Sequence, residues 1–275
     1  MKRIAYCSDL HGKRERYLNF YSIEADYHII GGDLFPRHGI YFKRLIDVQR
    51  NFIDEFLKPL LEQNKERTQT LLMLGNDDLE PLECNILEMQ EDGLCHFLHG
   101  NKISIEDFEV IGFKYVPPTP FSLKNIERRD SRGISQKQFG TAILFQNDGM
   151  AMKIDFEAYL KSQPSIAELL DTLPKPTDFS KAIYVMHSPP YNSLIDTTVQ
   201  GESVGSLDIR NFILKYQPTL VLCGHIHESP GTIQLGNTTC INPGQLHDFA
   251  YSLFELENDS IEFLKIPPPI KGNNN

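Results

Sequence analysis

The sequence contains few cysteines, no long apolar run and fewer basic than acidic residues. Its five cysteines are odd in number and form no Cys-x-x-Cys pair, which argues against a disulfide framework or a thiolate zinc site. No apolar run approaches the roughly 18 residues of a membrane-spanning helix. With 27 Lys and Arg against 37 Asp and Glu, the net charge of −10 disfavours binding to long nucleic acids. These absences predict a soluble, cytoplasmic protein that binds neither membranes nor long nucleic acids.

Short apolar runs, each ending in glycine or a polar cluster, recur along most of the chain. Their length and lack of alternation are typical of strands covered on both faces. The runs occupy residues 2–8, 26–33, 70–77, 108–113, 182–190 and 219–228. Amphipathic patterns predict helices at 41–63 and 206–216, the second with Ser206 as its N-cap and Asp208 in its first turn. Strands alternating with helices indicate an α/β protein.

The chain after Gly236 has a different pattern. Apolar segments at 240–244, 251–259 and 260–266, with turn residues at 258–259, predict consecutive strands and an antiparallel C-terminal portion. Residues 115–180 are irregular apart from a predicted helix at 156–173, and we interpret them as an insert over one sheet edge. The sequence therefore predicts a single domain at 1–266 that includes this insert, followed by a flexible tail at 267–275.

Polar side chains with metal-binding chemistry follow five of the apolar runs. Open α/β sheets place ligand sites at the carboxyl ends of their strands, so these side chains are expected to converge. They are Asp9, His11, Asp33, Asn76, Asp77, His187, His225 and His227. Each alone is more typical of a turn or a helix cap. Together, as oxygen and nitrogen donors with no thiolate among them, they predict a metal site.

The order Asp-x-His, Gly-Gly-Asp, Gly-Asn, His and Gly-His-x-His resembles the calcineurin-like metallophosphoesterases. The runs at 187–192 and 217–231 also resemble stand-alone prokaryotic members of that family. The resemblance implies a two-sheet βαβ sandwich flanked by helices, with the metal site at one rim. It also implies two metal ions that share Asp33. By position, the ligands of the first ion would be Asp9, His11 and His227, and those of the second Asn76, His187 and His225.

A pair of divalent cations would supply the chemistry of a phosphoesterase. A shared carboxylate offsets the repulsion between cations about 3.5–4 Å apart, and the pair lowers the pKa of a shared water. The resulting hydroxide attacks the phosphorus of a small phosphodiester, the favoured substrate, or of a phosphomonoester. Imidazole, carboxylate and amide ligands suit Mn, Fe or Zn, and Mn²⁺ is our first expectation.

One position departs from the family pattern. Members usually have His after the Asn ligand, as proton donor to the leaving group, whereas this sequence has Asp77 followed by Asp78. A carboxylate that is ionised at neutral pH is a weak general acid, which favours esters with good leaving groups. It also makes a cyclic-nucleotide phosphodiesterase the less favoured alternative. We expect nearby cations to lower the pKa of Asp77, and Asp78 to cap a helix that starts near Leu79.

Several residues outside the predicted metal ligands are weaker candidates for a functional role. Arg37, His38 and Tyr115 are candidate substrate-binding residues. Arg37 and His38 could instead belong to a solvated loop, and Tyr115, with Lys114, follows a predicted edge strand. The basic stretch 124–137 could steer an anionic substrate, although a solvated surface is the more ordinary interpretation. We expect structural roles for the remaining histidines and burial for two of the cysteines. These are His28, His96, His99, His247, Cys7 and Cys223.

Two other classes of function stay open. Some relatives with this fold have lost metal ligands and act as non-catalytic interaction scaffolds, but every ligand position is retained here. Nucleases of the same superfamily resemble longer chains with DNA-binding domains, and activity on polymeric DNA that falls steeply with salt would favour that interpretation.

Overall fold

The structure of the protein, a computed structural model, describes residues 1–37, 44–133, 138, 140–245 and 249–270. His38, Lys137, His247 and the segment 271–275 lie outside the described residues. The described helices do not include one that is both long and apolar enough to cross a bilayer.

Strands and helices alternate through most of the chain, as the apolar runs predicted. The strands are β1 (Lys2–Cys7), β2 (Tyr27–Ile30), β3 (Gln69–Leu72), β4 (His96–Phe97), β5 (Lys102–Ile105), β6 (Phe108–Phe113), β7 (Ile143–Phe145), β8 (Ala151–Lys153), β9 (Ala182–Met186), β10 (Leu220–Cys223), β11 (Gly231–Leu235), β12 (Thr238–Asn242), β13 (Ser252–Glu257) and β14 (Ser260–Lys265). The helices are α1 (Arg14–Tyr21), α2 (Leu45–Phe52), α3 (Lys58–Asn64), α4 (Glu83–Glu91), α5 (Phe156–Ser162), α6 (Ile166–Thr172) and α7 (Leu207–Tyr216).

The strands form two mixed six-stranded sheets and one small hairpin. The first sheet has the order β14-β13-β1-β2-β3-β4, with β1 to β4 parallel and β13 antiparallel to β1. The second has the order β11-β12-β10-β9-β6-β5, with β6, β9, β10 and β12 parallel. Strands β7 and β8 pair separately. This architecture confirms the predicted two-sheet α/β fold flanked by helices.

The core lies on both faces of the second sheet. In β9, Ile183 and Val185 belong to the cluster shared with the first sheet, whereas Tyr184 and Met186 belong to a second cluster. Because side chains alternate along a strand, one strand can fill two apolar layers. Helices α6 and α7 cover the second layer, where Ile209 packs. The continuous apolar runs in the sequence follow from this double burial.

Two predicted helices are confirmed in part. Ser206 caps α7 by accepting a hydrogen bond from the Ile209 amide, and Asp208 lies in the first turn. The described part of the helix predicted at 41–63 is α2 and α3, joined by a π-helical stretch, Ile53–Leu57. Pro59 has no amide hydrogen to donate, which is compatible with this wider turn.

The prediction of a single helix at 156–173 is wrong in one respect, because the structure has two helices there, α5 and α6. Pro164 disfavours a helical conformation at Gln163, whose ψ is 150°. Ser165 then starts α6 with a capping box in which Glu168 takes part. Pro164 could have predicted this break from the sequence, but the apolar periodicity on both sides of it indicated a single helix.

The C-terminal region needs a further correction. The hairpin of β13 and β14 is antiparallel and turns at Asn258, as predicted. Strand β12, however, joins the other sheet, where it runs parallel to β10 and antiparallel to β11. Residues 267–270, which we predicted to be flexible, are bonded to Thr232 through the Pro268 carbonyl and the Ile270 amide.

Strand β6, which precedes Lys114 and Tyr115, was predicted to be an edge strand. It is not at an edge, because β5 pairs on its outer side.

Candidate metal centre

The carboxyl ends of five parallel strands bring the predicted ligands together. Asp9 and His11 follow β1, and Asp33 follows β2; the remaining predicted ligands follow β3, β9 and β10. Within each sheet the segments after neighbouring strands are bonded to each other, since the Asp9 amide donates to the Gly32 carbonyl and the Gly224 amide to the His187 carbonyl, each over 3.0 Å.

One group of side chains centres on Asp9, His11, Asp33 and His227. Their donor atoms all lie within 4.8 Å of one another. The Nε2 atoms of His11 and His227 are 3.0 Å apart, and His227 Nε2 is 3.1 Å from Asp9 Oδ1. Asp33 Oδ2 lies 3.8 Å from His11 Nε2. Nitrogen and oxygen lone pairs that converge in this way form a site for a cation.

A second group consists of Asp33, His187 and His225. His187 Nε2 lies 3.4 Å from Asp33 Oδ1 and 3.2 Å from Asn76 Oδ1. The Nδ1 atom of His187 donates to the Gly31 carbonyl over 2.8 Å, which leaves Nε2 free to face the group. Asp33 therefore belongs to both groups, with Oδ2 toward His11 and Oδ1 toward His187.

The backbone at this site adopts an uncommon conformation. Positive φ values occur at four predicted ligands: Asp9 (61°), His11 (47°), Asp33 (53°) and His225 (67°). Such strain is typical of functional sites and persists only where surrounding contacts enforce it. The glycines of the motifs serve close approach, because a Cβ at Gly75 would overlap Asp33 and one at Gly224 would overlap Ser8 and Asp9.

Asp78 links two loops of the site and does not cap a helix, contrary to the prediction. Its buried carboxylate accepts hydrogen bonds from the amides of Leu34, Phe35 and Gly75 over 2.8–2.9 Å. Helix α4 begins only at Glu83, after a 3₁₀ turn. Asp78 thus fixes the loop that carries Asp33 against the loop that carries Asn76.

Burial and the nearby Asp33 carboxylate together set the protonation of the imidazoles. It lowers the pKa of His11 to about 4, and with the nearby His187 it lowers the pKa of His225 to about 3, so both rings are neutral at pH 7. A neutral ring is the form that binds a metal. Burial also opposes protonation of His187, but the Asp33 carboxylate outweighs it and raises the pKa of His187 to about 9.

Asp77 lies beside the groups rather than within them. Its amide donates to Asp33 Oδ1 over 2.9 Å, and its carboxylate is 3.7 Å from His11 Nδ1. Burial and the Asp33 charge raise the pKa of Asp77 to about 6, against a smaller lowering by Arg37. The protein's own groups thus act in the opposite direction to the lowering that we predicted from cations.

The weaker candidates have diverse positions. Arg37 donates to Asp77 over 3.1 Å, and its side chain is 46% exposed in the cleft that Asp33, Asn76 and His225 also line. Tyr115 packs beneath the Arg128 guanidinium, 4.3 Å from the ring centre, and is not among the described residues that line the cleft. Lys114 is buried in ion pairs with Glu80 and Glu83.

Part of the basic stretch 124–137 is buried, so the interpretation as a solvated surface was wrong for Lys124 and Arg128, whereas Arg129 is exposed. Lys124 and Glu127 are both 0% exposed and form an ion pair of 2.9 Å. Glu127 also accepts from the amide and hydroxyl of Thr119, and Lys124 donates to the Thr119 carbonyl. In the sequence, Lys124 and Glu127 lie three residues apart in an irregular segment, and nothing in that pattern predicted that both are buried. Cys7, Cys223 and His28 are buried, as expected of structural residues.

A cleft of about 650 Å³ opens over the two groups. Segments at 117–121 and 198–204 form its walls, and the second of these was missed by sequence reasoning. The described lining residues are Asp33, Arg37, Asn76, Asp77, Pro117, Pro118, Thr119, Pro120, Phe121, Thr198, Gln200, Glu202, Val204, His225, Ile226, His227 and Glu228.

Comparison with known proteins agrees with this arrangement. The sequence profile of the calcineurin-like phosphoesterases matches residues 2–229, which is most of the chain. The fold resembles the crystal structure of TT1561 of Thermus thermophilus, with a TM-score of 0.55 and 17% identity over 95% of this chain and 97% of the other. A second solved structure has a TM-score of 0.57 and 16% identity over 96% and 99%.

Sequence relatives match shorter stretches. The chain is 38% identical over 71 residues to the uncharacterized protein MJ1162 of Methanocaldococcus jannaschii, which is 24% of this chain and 33% of the relative. It is 30% identical over 90 residues to the UPF0046 protein K07C11.7 of Caenorhabditis elegans, which is 33% and 29% respectively. The chain thus spans about a third of each relative. The family match, together with the fold and the Asp and His groups, shows that the chain belongs to the calcineurin-like phosphoesterase family.

Proposed function

We propose that the protein is a phosphoesterase that uses two divalent metal ions and prefers phosphodiesters. The first ion would be held by Asp9, His11 and His227. The second would be held by Asn76, His187 and His225, with Asp33 shared. The observation that carries the proposal is the position of Asp33, whose two carboxylate oxygens face the two groups separately.

The donor set fits divalent cations of intermediate softness. It combines imidazole nitrogens, carboxylates and one amide oxygen, and neither metal-binding group of the described residues includes a cysteine. The protein can also orient the rings, as the bond from His187 to the Gly31 carbonyl illustrates. Mn²⁺ is our first choice, with Fe and Zn as alternatives.

Bound cations would lower the pKa of a water and offset the charge of the phosphate. In the reaction, a water oxygen forms the new P–O bond while the P–O bond to the leaving group breaks; the departing oxygen keeps the bonding electron pair, and the water gives up one proton to it or to solvent. Arg37, at the mouth of the cleft, can bind a phosphate oxygen through its guanidinium. Asp77 holds Arg37 in this position.

The test of the proposal is hydrolysis of bis-p-nitrophenyl phosphate and p-nitrophenyl phosphate by protein stripped of metal. We expect Mn²⁺, Fe²⁺ or Zn²⁺ to raise turnover by about 10²-fold or more over the stripped protein, with the diester preferred. Release of nitrophenolate and the bound metal content are measured together. Binding of two ions without turnover would contradict the proposal and favour the interaction scaffold.

The Asp77→His variant tests the missing proton donor. An imidazolium can give its proton to an alkoxide leaving group, whereas nitrophenolate leaves without one. We expect turnover of an alkyl phosphodiester, followed by ³¹P NMR, to be about tenfold or more higher than in Asp77→Asn, and turnover of nitrophenyl esters to be similar in the two variants, both of which lose the carboxylate contact to Arg37. Asp77→Asn is the matched control, because it removes the carboxylate without adding an acid. Equal gains on both classes of ester would defeat this explanation and reopen the cyclic-nucleotide alternative.

A further inference from the structure

One wall of the cleft, residues 117–121, is mostly apolar and lines the cleft together with members of both metal-binding groups. Its sequence is Pro-Pro-Thr-Pro-Phe, and each of its residues lines the same cleft as Asp33 and His225. Phe121 is 55% exposed, whereas nine other phenylalanines among the described residues are buried. We call this segment the proline wall.

The proline wall is held rigidly from behind. Its prolines have fixed φ angles, and Thr119 between them is held by the buried Lys124–Glu127 pair. Glu127 accepts two hydrogen bonds from Thr119, and Lys124 donates to the Thr119 carbonyl. A wall that is already ordered loses little conformational entropy when a ligand packs against it.

The remaining lining of the cleft is mostly polar and includes several carboxylates. Glu202 and Glu228 belong to it, and Arg37 is the only Lys or Arg side chain among the described lining residues. Carboxylates outside the metal-binding groups repel a substrate that carries several negative charges. The cleft therefore suits a phosphate ester with a single negative charge and an uncharged, apolar second substituent.

We propose that the proline wall, through Phe121, binds the aromatic alcohol that stays on the phosphorus of a singly charged phosphodiester. This inference rests on the proposed phosphoesterase function and names its substrate class. In the reaction, a water oxygen bonds to phosphorus and the opposite P–O bond breaks. The departing alkoxide or phenolate takes the bonding electron pair, the water gives up one proton to that oxygen or to solvent, and the aromatic monoester remains against Phe121.

The test compares two diesters that share one leaving group. Methyl p-nitrophenyl phosphate and phenyl p-nitrophenyl phosphate differ only in the group that remains. We expect Phe121→Ala to raise KM for the phenyl ester about five- to tenfold with kcat unchanged, and to alter KM for the methyl ester less than twofold. Phe121→Tyr keeps the ring and is expected to retain the wild-type ratio.

A binding measurement separates this proposal from catalysis. We expect calorimetric titration of the metal-loaded protein to show tighter binding of diphenyl phosphate than of dimethyl phosphate, and Phe121→Ala to remove the difference. Met150→Ala, which shortens an exposed side chain on the β7–β8 hairpin, is the matched control. Equal KM changes for both esters, or an unchanged preference for diphenyl phosphate, would overturn the role of Phe121. If the protein binds diphenyl phosphate more tightly than dimethyl phosphate but hydrolyses neither nitrophenyl diester, only the phosphoesterase proposal is contradicted.

Discussion

Replacement of Asp33 by Asn is expected to abolish metal-dependent hydrolysis of bis-p-nitrophenyl phosphate, with a loss of about 10³-fold or more in kcat. The amide has one oxygen where the carboxylate has two, and it has no negative charge. It can face one of the two groups through oxygen, while its NH₂ faces the other. The Asp77 amide, which donates to Asp33 Oδ1 over 2.9 Å, would compete for the remaining oxygen.

The variant should also bind less metal, because two cations would lack the charge that offsets their repulsion. Kinetics and metal content after dialysis are measured on the same samples. Asp47→Asn, a matched substitution on the exposed face of α2, is expected to leave both unchanged. An Asp33→Asn variant that keeps two ions and full turnover would show that the carboxylate is not shared.

The second large effect concerns stability. Breaking the buried Lys124–Glu127 pair by Lys124→Met or by Glu127→Gln is expected to lower the free energy of unfolding by about 3–5 kcal/mol, because each change leaves an uncompensated charge in the interior. The double variant should lose less than the sum of the two single losses, since both charges are then gone. Reversible urea unfolding followed by circular dichroism gives the double-mutant cycle.

An exposed pair of the same spacing serves as the control for this cycle. Lys65 and Glu62 are 2.7 Å apart but partly exposed to solvent, so the same substitutions there should cost about 0–1 kcal/mol. A buried pair whose single variants cost no more than those of the exposed pair would contradict the stabilising role. Because the same pair also holds Thr119 in the proline wall, its loss would affect substrate binding as well as stability.

The sequence predicted the strand ends of the site because polar residues interrupt apolar runs at recognisable points. Asp9 after β1 and Asp33 after β2 could be read in this way. The division of the Asp33 oxygens between two groups could not, since it depends on the position of β2 between β1 and β3 and on a φ of 53°.

Other features could not be predicted from the sequence, for different physical reasons. The burial of Glu127 depends on Thr119 and on the packing of an irregular segment, for which periodicity gives no signal. The wall at 198–204 likewise has no repeating pattern. The sheet that β12 joins is set by long-range pairing with β10, whereas the break at Pro164 follows from local chemistry and could have been predicted.

The contact between His227 and Asp9 joins residues 218 positions apart in the chain. During synthesis, therefore, the first metal-binding group can be completed only after residue 227 has left the ribosome and both sheets have met. Contacts of such separation form late, because the intervening chain must first lose its freedom. A nascent chain that has not reached residue 227 would thus offer cations only separate, weak ligands, and capture of metal would report that the two sheets have met.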